Sequence, residues 1–398
     1  MAICKIGVVG GGTMGRDIAN LVAQCGIPVA IVEANEELAK RTLDAIYYKN
    51  DRAVDKGKLM PDKSETVKTL ISTSANISDL MDVDLVIEAV PEELELKQKV
   101  FFFLDEILPA SVIFASNTSS LSISQMASET RRPDKFVGMH FFKPALTMPL
   151  VELVLGNKTD SETLAVAEDL CRSFGKTSIR VKDSPGFLVN RLLMPYLNDA
   201  ALLLTETKLG PEEIDREAKR FGWPMGPFAL LDYTGIDLSL RVADILYSGF
   251  GERAKPAPLM SLLVEVGHLG RKSGAGFHIY DLDKEFVSLE HIINKGSFGW
   301  PESLNIADGF LRMMCSMANE AFLCLEEEIV TADDIETGCR LGIGFPLAKK
   351  GILHWAEEEL GLPVLFEQLQ KLAGPYGSRF KPAKLLEEYV AAGKRLFK

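Results

Sequence analysis

The chain has 398 residues, enough for two or three domains of ordinary size. Hydrophobic residues make up 47% and charged residues 25%, a balance that excludes a mainly disordered chain. The net charge of −12 excludes a broad polyanion binder, which would carry a basic face, so no nucleic-acid partner is expected. No apolar run reaches the roughly 18 residues that a membrane-spanning helix needs, so no membrane partner is expected either. The opening MAICKIGVVGGG has too short an apolar stretch for a signal peptide and lacks the arginines of a transit peptide. Cys4, Cys25, Cys171, Cys315, Cys324 and Cys339 are scattered without a CxxC pair, and two of them sit in apolar helical runs. That spacing predicts buried or free thiols, no metal site, and a reducing, cytoplasmic setting.

Residues 3–9 (ICKIGVV) read as a short buried strand. Gly10, Gly12 and Gly15 follow, then an amphipathic helical pattern from Met14 to about Gln24, then the apolar run PVAIVE at 28–33. Strand, glycine turn, helix and strand make one βαβ unit. A long polar helical stretch runs from Asn35 to about Lys56 and carries Lys49, Arg52 and Lys56, with Lys58 just beyond. Further apolar runs stand at 69–74, 84–90, 111–116, 136–141 and 151–156, with helical patterns between many of them. This alternation predicts a largely parallel sheet covered by helices on both faces, over residues 1–182.

After Asp183 the pattern is helical, punctuated by Pro and Gly. The tail also aligns with itself. Arg191-LLMPYLNDAALLLTE matches Arg312-MMCSMANEAFLCLEE at an offset of 121 residues, and FGERAKPA (250–257) matches YGSRFKPA (376–383) at 126. Two copies of one helical domain are therefore expected, at 183–282 and 303–398, joined by a connector at 283–302. Only the first copy ends in GRKSGAGFHIY. The fold class is thus an α/β Rossmann-like domain followed by an all-α domain present twice.

The turn Gly10-x-Gly12-x-x-Gly15 needs its glycines for a tight bend, for close approach of a pyrophosphate, and for packing of helix on strand. Backbone N–H groups at Gly12, Thr13 and Met14 then open the helix toward the phosphates. Glu33 stands 18 residues beyond Gly15, at the end of the second strand, where its carboxylate accepts ribose hydroxyls and repels a 2′-phosphate. The motif therefore points to NAD rather than NADP.

Of five histidines, His140 alone stands at the end of a sheet strand in this half. Glu152 lies twelve residues on, in the next apolar run, and a returning loop would bring the two together. An imidazole oriented by a carboxylate suits a general base. A core or surface histidine is the other reading. Asn117 and Ser119 follow another strand end, where they offer either donors to a substrate oxygen or a helix cap. Asn190 opens the helical tail.

Taken together, Gly10–Gly15, EAVPEELELK (88–97), SNTSSLSI, GMHFFKP, LVEL and SPGFLVNRLL resemble the L-3-hydroxyacyl-CoA dehydrogenase family, which includes 3-hydroxybutyryl-CoA dehydrogenases. The motifs match in order and spacing across residues 1–280. The doubled helical tail is similar to that of multifunctional β-oxidation enzymes of fatty acid metabolism. The resemblance implies that His140 is the general base and Glu152 its partner. It implies that Ser119 hydrogen-bonds the substrate oxygen and that Asn190 polarises the site. Glu92 and Lys97 match cofactor-contacting positions; a solvated ion pair is the other reading of their spacing. Asn117 is expected among the cofactor-binding residues, and Lys143 stands where the family has an asparagine near the nicotinamide and the catalytic histidine. The CoA phosphates would meet Lys49, Arg52 and Lys56, a cluster that otherwise reads as a solvated helix face. Substrate is expected in a cleft between the α/β domain and the first helical copy, near Arg271 and Lys272.

One residue departs from the family pattern: Lys143 replaces the asparagine expected before the proline in HFFKP. A cation there either repels the protonated form of His140, or receives the far carboxylate of a dicarboxylyl-CoA, or points to solvent. The alternative to a full dehydrogenase is accordingly an NAD- and acyl-CoA-binding protein with weak catalysis. A 3-hydroxyacid dehydrogenase acting without CoA fits the combined motifs poorly. The second helical copy would cover the surface that single-copy relatives use for dimerisation, giving a monomer with an internal pseudo-dimer or a homodimer.

Overall fold

The computed structural model describes residues 3–296 and 304–397. One compact unit ends at Phe187 and a second begins at Leu188. The connector's last residues, 297–302, lie outside the described residues, as does 303, the first of the second copy.

The first unit holds eight strands: β1 (Ile6–Val9), β2 (Val29–Val32), β3 (Ile71–Ser74), β4 (Leu85–Glu88), β5 (Ile113–Ser116), β6 (Phe136–Phe141), β7 (Leu150–Leu155) and β8 (Thr177–Lys182). They form one sheet in the order β3-β2-β1-β4-β5-β6-β7-β8. Every pairing is parallel except β6 with β7. Helices α1 (Thr13–Gln24), α2 (Glu36–Asp55), α3 (Pro61–Leu70), α4 (Leu94–Ile107), α5 (Ile123–Ala127) and α6 (Ser161–Ser173) provide the crossovers and cover. The inner strands are almost wholly apolar and buried along their length, as strands covered on both faces must be. The sheet reverses its direction of growth between β1 and β4. A ligand crevice opens at such a switch point, outside the carboxyl ends of the strands.

The second unit is helical, apart from two isolated bridges within Gly270–Ile279. Its first half contains α7 (Val189–Glu206), α8 (Pro211–Phe221), α9 (Pro227–Thr234), α10 (Ile236–Phe250) and α11 (Pro258–Glu265). After α12 (Leu289–Lys295), the second half contains α13 (Ile306–Glu326), α14 (Ala332–Gly338), α15 (Ile352–His354), α16 (Leu362–Tyr376) and α17 (Lys384–Ala392). The repeat seen in the sequence is present in space. Gly235 and Gly361 share nearly the same positive-φ backbone, as do Gly251 and Gly377. Asn198 and Asn319 each bridge the same two backbone groups of their own copy, Lys255 and Ala257 in one, Lys381 and Ala383 in the other.

Helices α7 and α13 pack along each other, and a reciprocal charge network crosses between them. Arg191 pairs with Glu320 at 2.7 Å and with Glu327 at 2.9 Å, while Arg253 reaches the same two carboxylates. In mirror fashion, Arg312 pairs with Asp199 at 2.9 Å and Glu206 at 2.8 Å, joined by Arg379. Each central guanidinium also lies 4.3 Å from a ring centroid, Phe250 for Arg191 and Tyr376 for Arg312. Such charges tolerate burial because every one has a partner.

The copies differ where the second has gained residues. The offset is 121 at Ile214 and Ile335 and 122 at Gly222 and Gly344; a π-turn at Cys339–Ile343 takes up the extra residue. It is 125 at Gly226 and Gly351 and 126 at Gly235 and Gly361, and a second π-turn, Trp355–Leu360, lies between. A turn closed one residue later absorbs a single insertion without ending the helix.

Candidate active site

Strand β1 ends directly into the glycine turn. Gly10 sits at φ +94°, and a Cβ on Gly15 would stand 1.9 Å from the Gly10 carbonyl oxygen, so both positions require glycine. A Cβ on Gly12 would meet nothing within 4 Å, which leaves open space over the start of α1. The first-turn N–H groups of α1, at Thr13, Met14 and Gly15, have no acceptor within the helix. Glu33 is the first residue past β2. Its Oε1 accepts the Gly11 N–H at 2.9 Å and the Thr42 hydroxyl at 2.9 Å. The carboxylate is thereby fixed beside the glycine turn. An open glycine cradle, a helix N-terminus and an oriented acid fit a dinucleotide whose pyrophosphate and ribose they would hold. Gly11 and Thr42 belong to this arrangement and were not singled out by the GxGxxG spacing; a Cβ on Gly11 would fall 2.4 Å from Thr42 Oγ1.

His140 and Glu152 are directly opposed residues of the antiparallel β6–β7 pair. His140 Nδ1 lies 2.6 Å from Glu152 Oε2, and both side chains are buried. A carboxylate at Nδ1 holds the ring proton there and leaves Nε2 as the acceptor. The rings of Phe142 and Phe187 flank the imidazole at centroid distances of 4.5 and 6.0 Å. Asn117, just past β5, accepts the Phe141 N–H at 3.0 Å and so ties the end of β5 to the end of β6. Lys143 is exposed, two residues beyond β6, and precedes Pro144 through a cis peptide bond.

Glu92 and Lys97 are not a solvated pair. Lys97 is buried, and its ammonium meets Glu88 at 2.6 Å, the Val90 carbonyl at 3.2 Å and Glu92 at 3.3 Å. The cause is local: α4 starts six residues after β4 ends, so Lys97 in its first turn reaches back to the acid that closes the strand. Burial raises the Glu88 carboxyl above its ordinary value, against the pull of Lys97, Ser116 and the Val90 N–H. Burial pushes Glu92 up as well, but Lys97, Thr118 and Ser119 outweigh it and hold this carboxyl below the usual range. Ser119 donates to Glu92 through both its N–H, at 2.8 Å, and its hydroxyl, at 3.2 Å.

In the basic cluster, Arg52 and Lys56 are exposed near the end of α2. Lys49 is engaged in a 2.5 Å ion pair with the buried Asp17 of α1, which a solvated helix face does not describe. Asn190 belongs to the second unit, in the first turn of α7. Among the described residues no cluster of potential metal ligands occurs, and no helix is long and apolar enough to cross a membrane. Four of the cysteines are buried, twice the number that the apolar helical runs had suggested, and all six are free thiols.

The glycine turn and acid at the sheet's switch point fit a dinucleotide, and an imidazole oriented by a buried carboxylate stands on β6, two strands beyond β4. Comparison with known proteins agrees. The family description "3-hydroxyacyl-CoA dehydrogenase, NAD binding domain" matches residues 5–184. The companion "3-hydroxyacyl-CoA dehydrogenase, C-terminal domain" matches twice, at 186–280 and 309–396. The chain belongs to the 3-hydroxyacyl-CoA dehydrogenase family, and its cofactor is NAD. It is 36% identical over 98% of its length to a fatty acid oxidation complex subunit alpha from Idiomarina loihiensis, of which the match covers 56%. A Shewanella subunit of the same name is 35% identical with the same share covered, so the chain spans about half the length of these relatives. Among solved structures, a 3-hydroxybutyryl-CoA dehydrogenase from Escherichia coli superposes with a TM-score of 0.89 at 28% identity, covering 98% of this chain and 99% of that one. The (S)-3-hydroxybutyryl-CoA dehydrogenase of Ralstonia eutropha reaches 0.69 at 41% identity, over 70% of this chain and all of its own.

Proposed function

We propose that this chain oxidises L-3-hydroxyacyl-CoA, 3-hydroxybutyryl-CoA among them, to 3-ketoacyl-CoA. The observation that carries the reading is the buried His140–Glu152 pair beside a dinucleotide crevice, in a chain of this family. Bound NAD supplies the hydride acceptor at C4 of its nicotinamide ring. Nε2 of His140 takes the proton of the 3-hydroxyl, and Glu152 stabilises the imidazolium that forms. Ser119 donates a hydrogen bond to the 3-oxygen, and the family resemblance gives Asn190 a polarising role. Gly10 to Gly15 and Glu33 hold the cofactor's pyrophosphate and ribose, while Glu92, Lys97, Asn117 and Lys143 serve its nicotinamide end. Arg52 and Lys56, with Lys49 as a third cation shared with Asp17, receive the CoA phosphates. The mutual covering of α7 and α13 within one chain favours a monomer. The free thiols fit a reducing, cytoplasmic setting.

The test is NADH formation with a panel: 3-hydroxybutyryl-CoA, its ω-carboxylated analogue and the free 3-hydroxy acid. The account expects turnover of the first, little of the free acid, and a preference between the two thioesters that shifts in Lys143→Asn if the lysine meets a distal carboxylate. Turnover of the free acid alone, or NAD binding without turnover of any member, would overturn the reading.

A further inference from the structure

We propose that Thr118 is a positioning residue for Ser119: it occupies Glu92 Oε1, so that the Ser119 hydroxyl can turn from that carboxylate to the substrate's 3-oxygen. The inference rests on the dehydrogenase reading above and deepens it.

Glu92 Oε1 receives three donors: the Thr118 hydroxyl at 2.6 Å, the Ser119 N–H at 2.8 Å and the Ser119 hydroxyl at 3.2 Å. A carboxylate oxygen has two lone pairs, and a serine hydroxyl has one proton to give. The longest of the three bonds is the weakest, and it is the one that substrate binding must exchange. The other two donors make that exchange inexpensive, because Oε1 stays satisfied when Ser119 leaves it.

Thr118 is held to this task. It is fully buried, and its Oγ1 also accepts the Leu121 N–H at 3.0 Å. Its own N–H goes to Ser116 Oγ at 3.2 Å, and Ser116 donates to Glu88 Oε2 at 2.6 Å. Glu88 Oε1 takes Lys97, which reaches Glu92 Oε2. Glu88, Lys97, Glu92, Thr118 and Ser116 therefore form a closed ring joining the ends of β4 and β5 to α4. Without the Thr118 hydroxyl, Glu92 Oε1 loses its shortest donor and the Ser119 hydroxyl becomes the nearest replacement.

Thr118→Val, Thr118→Ser, Ser119→Ala and the Val/Ala double variant, made in the full chain, test this. The readouts are kcat and KM for 3-hydroxybutyryl-CoA and NADH affinity by fluorescence. Thr118→Val is expected to lose about ten- to a hundredfold in kcat/KM, the scale of one hydrogen bond to a charged group. NADH affinity should hold, and Thr118→Ser should restore most of the loss. The double variant should be no slower than Ser119→Ala, because both changes remove the same interaction. Should the valine variant fail to fold, Thr118→Ala carries the same expectations. Undiminished activity in Thr118→Val, no rescue by serine, or losses that multiply in the double variant would overturn the proposal. An inactive wild type would instead overturn the dehydrogenase reading, and this inference with it.

Discussion

Glu336 should make the protein's stability fall as pH rises through the mildly acidic range. The residue is buried at 2% exposure in α14, and burial pushes its carboxyl up to about 7 from an ordinary 4.5. Oε1 accepts the His354 N–H at 2.8 Å, whereas Oε2 has no hydrogen-bond partner and lies against Gly351. The equivalent acid of the first copy, Asp215, caps the N-terminus of α9 in the same way but also holds His278 Nε2 at 2.9 Å. Glu336 lacks that second partner at Oε2, so its charged form is poorly compensated. The folded protein therefore binds a proton more tightly than the unfolded chain does. Stability is full below about pH 4.5 and declines up to about pH 7, and the gap corresponds to about 3 kcal/mol. The nearby His354, whose burial lowers its pKa, acts in the opposite sense, so the wild-type profile alone is a mixture. The difference between wild type and Glu336→Gln isolates the glutamate. Urea unfolding across pH 5 to 8 should show the variant gaining on wild type by about 2–3 kcal/mol as pH rises. A difference that is flat with pH would refute the reasoning.

Three further outcomes follow from the same geometry. Glu152→Gln should lower kcat by about a hundred- to ten-thousandfold, because an amide at Nδ1 no longer enforces the tautomer that leaves Nε2 free; a rate near wild type would show that the carboxylate does not orient the base. Gly11→Ala places a Cβ 2.4 Å from Thr42 Oγ1 and 2.5 Å from Glu33 Oε1. It should raise the KM for NAD about tenfold while sparing acyl-CoA binding, as initial-rate kinetics in each substrate would show. Arg312→Met leaves the buried Asp199 only Arg379, at 3.5 Å, and should cost about 3 kcal/mol in urea unfolding; a loss under about 1 kcal/mol would reduce the network to ordinary surface pairs.

The His140–Glu152 pair was legible because twelve residues and one return of the chain separate the partners, and antiparallel register does the rest. The helical repeat was legible because its arginines, asparagines and acids recur at constant offsets. The structure adds the reason: each copy's arginines pair with the other copy's acids. The ring around Glu88 was not legible. Glu88 and Ser116 are 28 residues apart and meet because the parallel register of β4 and β5 sets them opposite each other. A charged residue inside the apolar run DLVIEAV was the available signal. Spacing alone left Lys97 open to a solvated reading, since a five-residue interval fits a helix start whether or not a sheet lies beneath it. Nothing in the sequence pairs Lys49 with Asp17, 32 residues earlier, or Thr42 with Glu33; the first contact crosses the packing of α1 and α2, and the second joins α2 to the end of β2.

The central claim is that His140 is the base of an NAD-dependent oxidation of 3-hydroxyacyl-CoA. Its most direct test is NADH formation from 3-hydroxybutyryl-CoA by wild type and His140→Gln, with NADH binding measured on both. The account predicts a turning-over wild type and a variant that binds NADH equally well but is slower by at least about a thousandfold. A His140→Gln protein that keeps its rate would contradict it.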